Sequence, residues 1–266
     1  MASIQYVVIL LLITFKSLSL SQSRLQISPE TDHSLPFNPI SINREIPKAD
    51  ASYCDSWRLS VETNNAGAWV QIPERCVDFV EEYMTGDKYS SDIEVASEFA
   101  SEYAKTINVA GGGKDAWVFD IDETLLSNVP YYQVHGFGSE IFDENSFNEW
   151  VDLAEAPALQ TSLRFYKELQ QLGFKVFLLT GRSEFQRNAT EKNLLHVGYR
   201  NWERLFLRGP DDMGKKASVY KSEKRKELED EGYTIHGSSG DQWSDLLGFA
   251  VAKRSLKLPN PMYYIA

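Results

Sequence analysis

Ala116-Trp117-Val118-Phe119-Asp120-Ile121-Asp122-Glu123-Thr124-Leu125-Leu126 is the stretch on which the reading of the whole chain turns. An apolar run that favours strand ends in two carboxylates, Asp120 and Asp122, two positions apart. Side chains i and i+2 of a strand share a face, so a strand that ends at Asp120 and turns can gather both acids at its tip. Two anions held that close repel and lose hydration, a heavy cost unless a cation or a shared proton compensates. The pattern points to a metal-dependent catalytic site, although an isolated D-x-D is commonly just two surface acids at a strand end.

Strand and helix alternate from here onward. Leu159, Leu163, Tyr166, Leu169 and Leu172 share one helix face, and Gly173 ends that helix. A second apolar run, Phe174 to Leu179, reads as a buried parallel strand closing in Thr180-Gly181-Arg182. Thr180 offers a hydroxyl, Gly181 lets a ligand approach the backbone, and Arg182 offers a guanidinium. Ser183 can cap the helix that runs to about Val197, and an anion near the start of that helix would meet free N–H groups. Arg204–Leu207 is a third strand, Ala217 to Glu231 a highly charged helix, and Tyr233–His236 a fourth strand. That last strand leads into Gly237-Ser238-Ser239-Gly240-Asp241, with Asp245 four residues on. Such alternation predicts an α/β fold with a parallel sheet.

In these sheets functional groups collect at the carboxyl ends of the strands. Asp120 and Asp122, Thr180 and Gly181, and Asp241 and Asp245 therefore converge. Hydroxyl, backbone amide and a lysine suit phosphoryl oxygens, and four acids suit Mg²⁺, which prefers oxygen ligands. A carboxylate can take a phosphoryl group as an aspartyl-phosphate while a second acid shuttles the proton.

Upstream, Tyr6 to Phe15 is an apolar core of signal-peptide length, followed by small residues that allow cleavage before Gln22 or Arg24. Residues 1–21 are read as the signal, and the polar, Pro-containing 22–50 as a flexible arm. Export to an oxidising compartment favours pairing the two cysteines, Cys54 and Cys76, with two free thiols as the alternative. Such a bridge typically contributes ~3 kcal/mol. Asn188-Ala189-Thr190 is a glycosylation sequon. A helix is expected over Ile93–Ile107, with Ala96, Phe99, Ala100, Tyr103, Ala104 and Ile107 as its buried stripe. The aromatic-rich stretch Tyr131 to Trp150 reads either as a lid or as a small satellite core. Lys+Arg 27 against Asp+Glu 38 gives a net charge of −11, which excludes a general affinity for nucleic acid or anionic membranes. The four histidines are scattered, with no zinc-ligand spacing.

Asp120-x-Asp122-x-Thr124, Thr180, a later lysine and Asp241-x-x-x-Asp245 together resemble the haloacid dehalogenase (HAD) superfamily of phosphatases. From about Tyr53 to Tyr264 the chain resembles the plant acid phosphatases and vegetative storage proteins, of class B type. The likeness is carried by Tyr53-Cys54-x-Ser56-Trp57-Arg58, DIDETLLSN (Asp120–Asn128), Leu179-Thr180-Gly181-Arg182 and Gly240-Asp241-Gln242-Trp243-Ser244-Asp245. It implies a Rossmannoid three-layer sandwich over 51–266, a cap-like insertion at about 126–158 and an N-terminal helical segment. It implies Asp120 as nucleophile and Asp122 as proton donor and acceptor. Thr180, assisted by Gly181, would bind a phosphoryl oxygen, and Lys221, with Lys224 as competitor, would neutralise the phosphate. Mg²⁺ would be held by Asp120, the backbone carbonyl of Asp122, and Asp241, with Asp245 as a ligand or nearby acid. The expected substrate is a small-molecule phosphomonoester, the destination the cell wall, extracellular space or vacuole, and the assembly a homo- or heterodimer. Some members of the family are storage proteins that have lost the nucleophile; here Asp120 is present.

Overall fold

The computed structural model describes residues 51–109 and 111–266, so the signal segment and the arm lie outside the described residues. Five strands form one wholly parallel sheet in the order β3-β2-β1-β4-β5. They are β1 (Asp115–Phe119), β2 (Lys175–Ser183), β3 (Arg204–Arg208), β4 (Thr234–Gly240) and β5 (Arg254–Lys257). Strand alternation sends Trp117 and Phe119 to one face, and Ala116 and Val118 to the other. The first pair packs with Phe165, Tyr166 and Leu169 of α6 (Gln160–Gln171) and Ala100 and Ala104 of α3 (Asp87–Lys105). The second pair packs with Tyr220 and Leu228 of α8 (Ala217–Asp230). Helix, sheet and helix make the three layers.

Three elements depart from the sequence reading. β4 does not stop at His236 but continues through Gly237-Ser238-Ser239-Gly240. Its glycine is there for space: a Cβ on Gly237 would lie 2.3 Å from Trp117 Cζ2, and Trp117 Nε1 donates to Ser239 Oγ at 3.0 Å. What looked like loop composition is a strand built to accept an indole. β5 was not foreseen, because its four residues bury only Leu256. In α3 the buried residues are Tyr89, Ile93, Ser97, Ala100 and Ala104, so the stripe is rotated and Phe99 is 58 % exposed.

The N-terminal segment supplies α1 (Ala51–Glu62) and α2 (Val77–Thr85), and the Cys54–Cys76 disulfide joins α1 to the chain entering α2. Within the insertion, α4 (Val129–Val134) and α5 (Glu144–Leu153) flank a 3₁₀ turn at Gly136–Gly138. Tyr131, Tyr132 and Phe137 are buried with Tyr83, Met84 and Met262, which makes the aromatic stretch a satellite core. Gly138, at φ +94°, meets the C-terminal segment so closely that a Cβ would lie 1.8 Å from Met262 O. The stretch also supplies cavity wall through Tyr131, Tyr132, Phe142 and Phe147.

Candidate active site

The hydrogen-bond ladder runs one residue past β1, where Asp120 N donates to Ser239 O at 2.9 Å. The chain then coils tightly: the amides of Thr124, Leu125 and Leu126 all donate to Ile121 O. Glu123 sits in the left-handed region at φ +51°, an uncommon conformation for a residue with a side chain. This turn sends the two aspartates into different surroundings.

Asp120 points to a buried acid cluster. Carboxylate oxygens of Asp120, Asp241 and Asp245 lie within 4.8 Å of one another, all three residues buried. Lys221 Nζ donates to Asp120 Oδ1 at 2.6 Å and also to Asp245 Oδ1. Burial, then the charge of Asp245, pushes the Asp120 carboxyl well up, against the opposing pull of Lys221. Asp241 is raised to about 7, first by burial and then by Asp245 and Glu123. For Lys221, burial would lower the pKa, but Asp120 and Asp245 outweigh it and the ammonium is held charged.

Asp122 meets cations and donors instead. Arg182 Nη2 and Nε donate to its carboxylate at 2.7 and 3.1 Å, and Asn128 Nδ2 donates at 2.9 Å. Burial alone would raise this carboxyl, yet the charge and hydrogen bonds of Arg182, with that of Asn128, hold it below the usual range. Asn128 is fixed in turn by Trp150 Nε1, which donates to its Oδ1 at 2.8 Å. The repulsion expected between the two aspartates is therefore already relieved by two side chains, Lys221 for one and Arg182 for the other. Arg182 cannot serve as a spare anion receptor, since Nη1 is also engaged, by Thr190 Oγ1.

Further groups hold the cluster in place. Gln242 Nε2 and Asn260 Nδ2 each donate to Asp241 Oδ2 at 2.7 Å, and Gln242 N donates to Asp245 Oδ2 at 2.8 Å. Behind Asp245, the fully buried Arg225 donates to its carbonyl and to those of Leu247 and Ala250. Glu123 accepts from Asn128 and from Tyr263 Oη, and burial, then Asp122, raises it to about 7. Asn128, Glu123, Arg225, Asn260 and Tyr263 were not singled out from the sequence. Arg225, Asn260 and Tyr263 act through partners distant in the chain or through backbone, and Asn128 and Glu123 meet only through the tight turn after Ile121, so no spacing betrays them.

The remaining expected residues fall as follows. Gly181 lies on the cavity wall. Thr180 is fully buried one residue behind it, and its Oγ1 accepts from Arg182 N at 3.2 Å. Lys224 lies off the cavity, 3.9 Å from Asp212 and 3.7 Å from Glu227. The carboxylate of Asp122 takes no part in the three-acid cluster. Asn188 is exposed on α7 (Arg187–Val197).

Three buried carboxylates face one ammonium, and burial first, then their mutual charge, raises the Asp120 and Asp241 carboxyls. An all-oxygen donor set of this kind fits a hard divalent cation. The cluster opens on a cavity of about 500 Å³, walled by Trp69, Tyr132, Phe142, Tyr263 and Tyr264.

A three-layer sandwich whose parallel sheet carries a D-x-D at the tip of its central strand, with a lysine and a second acid pair, is the constellation of HAD-class phosphoryl-transfer enzymes. A family model described as HAD superfamily, subfamily IIIB (acid phosphatase), matches residues 42–266. The chain belongs to that family and is a phosphoric monoester hydrolase. It is 54 % identical over 216 residues to Acid phosphatase 1 of Solanum lycopersicum, covering 81 % of this chain and 85 % of that protein. It is 37 % identical over 214 residues to Vegetative storage protein 2 of Arabidopsis thaliana, covering 80 % of each. Among solved structures, the class C acid phosphatase from Bacillus anthracis superposes with TM-score 0.60 at 25 % identity, covering 71 % of this chain and 85 % of that one.

Proposed function

We propose that the chain hydrolyses small-molecule phosphate monoesters, with Mg²⁺, through an aspartyl-phosphate on Asp120. One observation carries this reading: two aspartates at a single strand tip have different partners, Asp120 a lysine inside an acid cluster, Asp122 an arginine clamp. An Asp120 oxygen attacks phosphorus, and the bond to the leaving oxygen breaks as Asp122 delivers a proton to it. Asp122 then takes a proton from the water that attacks the phosphoryl group, releasing phosphate and restoring Asp120. Lys221 opposes charge on the phosphoryl oxygens, and Gly181 lets them approach backbone. Mg²⁺ bound by Asp120, Asp241, Asp245 and the Asp122 carbonyl would keep the acids ionised and draw charge from the phosphoryl group.

The family resemblance implies an acid working range, and the Arg182 clamp on Asp122 agrees with it in sign. A proton donor held below the usual carboxylate range is protonated in a larger fraction as pH falls. Arg182→Gln raises the Asp122 pKa, so the decline of kcat on the alkaline side moves up by about one pH unit. An unshifted limb in the pH profile of the variant would remove Asp122 from the role of proton donor.

The test of the function is turnover of 4-nitrophenyl phosphate by purified protein with Mg²⁺, after EDTA, and after Mg²⁺ is restored. Activity is expected to vanish with EDTA and to return with Mg²⁺. The likeness to Vegetative storage protein 2 supports a second reading, an amino-acid reserve with a vestigial site. Negligible turnover of every phosphomonoester tried, with Mg²⁺ present, would decide for it.

A further inference from the structure

Among the described residues, three arginine and lysine side chains stand on the cavity wall: Arg182, Arg208 and Lys221. Two of them are spent. Arg182 is bound to Asp122 and Thr190, and Lys221 to Asp120 and Asp245. Arg208 is not. It is the last residue of β3, with its guanidinium 4.6 Å from the centre of the Tyr220 ring. Nη1 donates to the carbonyls of Asp212 and Lys215 at 2.9 and 3.0 Å, which fixes the plane of the group. Nε and Nη2 donate to no protein group among the described residues, and neither is a sealed, unsatisfied donor.

No carboxylate among the described residues pairs with this guanidinium either. Asp212, whose carbonyl it holds, turns its carboxylate to Lys215 at 3.0 Å and to the Gly209 amide at 3.2 Å. An unpaired, half-buried cation stands out in a chain with 38 acids. Nε and Nη2 form the edge of guanidinium whose parallel N–H groups match the two oxygens of a carboxylate or phosphate. Elsewhere the wall includes Glu140 and Glu144, which repel an anion. An anionic substituent entering this cavity is thus drawn to the β3 side.

We propose that Arg208 forms a subsite for a second anionic group, which makes the favoured substrates phosphomonoesters whose leaving group carries a carboxylate or a further phosphate. The proposal rests on the phosphatase reading for its chemistry, not for its recognition. A loop clamp alone would need only Nη1 and could not discriminate between substrates.

The experiment compares kcat/KM for phenyl phosphate, carboxyphenyl phosphate and phenylene bisphosphate in wild type, Arg208→Gln and Arg208→Lys. The quantity read is the preference for each anionic ester over phenyl phosphate within one variant, so any general damage to the loop cancels. Arg208→Gln is expected to lower both preferences by about tenfold or more, the worth of a charge-assisted hydrogen bond. Arg208→Lys keeps a point charge without the fork, so it recovers part of the bisphosphate preference and little of the carboxylate one. Preferences in Arg208→Gln within about twofold of wild type overturn the proposal, whatever the absolute rates. Failure of the phosphatase reading shows differently, as wild type that turns over none of the three esters. In that event calorimetric binding of carboxyphenylphosphonate against phenylphosphonate, with the same tenfold criterion, decides the subsite alone.

Discussion

Asp120→Asn is expected to lower turnover of an aryl phosphate by roughly 10⁴-fold or more, as loss of the nucleophile does in other covalent catalysts. An amide has the shape of the carboxylate but cannot take the phosphoryl group. The substitution also removes one anion from the Asp120, Asp241, Asp245 cluster, and the charge of Asp245 is part of what raises Asp120. The melting temperature at neutral pH is therefore expected to hold or rise. Wild-type rates in the variant would end the assignment of Asp120, and a collapsed melting curve would show that the lost rate came from lost structure.

Lys221→Met is expected to have the next largest effect, and it reaches both rate and stability. Removing a cation that opposes phosphoryl charge costs about 10²–10³ in rate. It also leaves Asp120 and Asp245 buried without their shared ammonium, and breaking a buried pair from one side costs ~3–5 kcal/mol. The pH dependence has a definite sign. The Asp120 carboxyl is raised in the folded protein, so the fold binds that proton more tightly than the unfolded chain does. Its contribution to stability is full below the unfolded value, about 4, and is lost as pH rises through the folded one. The gap between variant and wild type should therefore narrow as pH falls from 7 towards 4, as measured by thermal unfolding. Lys224→Met, whose ammonium lies off the cavity beside Asp212 and Glu227, serves as the control.

The sheet was legible because its strands carry their own signals. Ala116 to Phe119 and Lys175 to Leu179 are apolar runs closed by polar tips, and the motifs sit where the carboxyl ends of parallel strands must place them. Asp120, Asp122, Gly181, Asp241 and Asp245 could be named in advance for that reason, whereas Lys221, on α8, was named only through the family resemblance and with Lys224 beside it. β5 could not, since a short edge strand with one buried side chain has no pattern to read. Nor could β4 beyond His236, because the need for glycine at 237 comes from the indole of Trp117, far away in sequence.

The electrostatics of the site were the least legible part. Two nearby aspartates suggested a metal, but spacing does not say which cation faces which acid. The sequence shows only that Arg182 offers a guanidinium at the strand tip, whereas the fold makes that guanidinium the counter-charge of Asp122. The clamp needs β2 to place Arg182, α7 to supply Thr190, and the insertion to supply Asn128 and Trp150. Only the folded chain brings those four together.

The most direct test of the mechanism is acid quench of the protein while it turns over substrate, followed by peptide mapping for phosphate. The expected result is a hydroxylamine-labile phosphoryl group on the peptide that carries Asp120, absent from Asp120→Asn. A phosphoryl group on another residue, or none while wild type is turning over, would contradict an aspartyl-phosphate at that position.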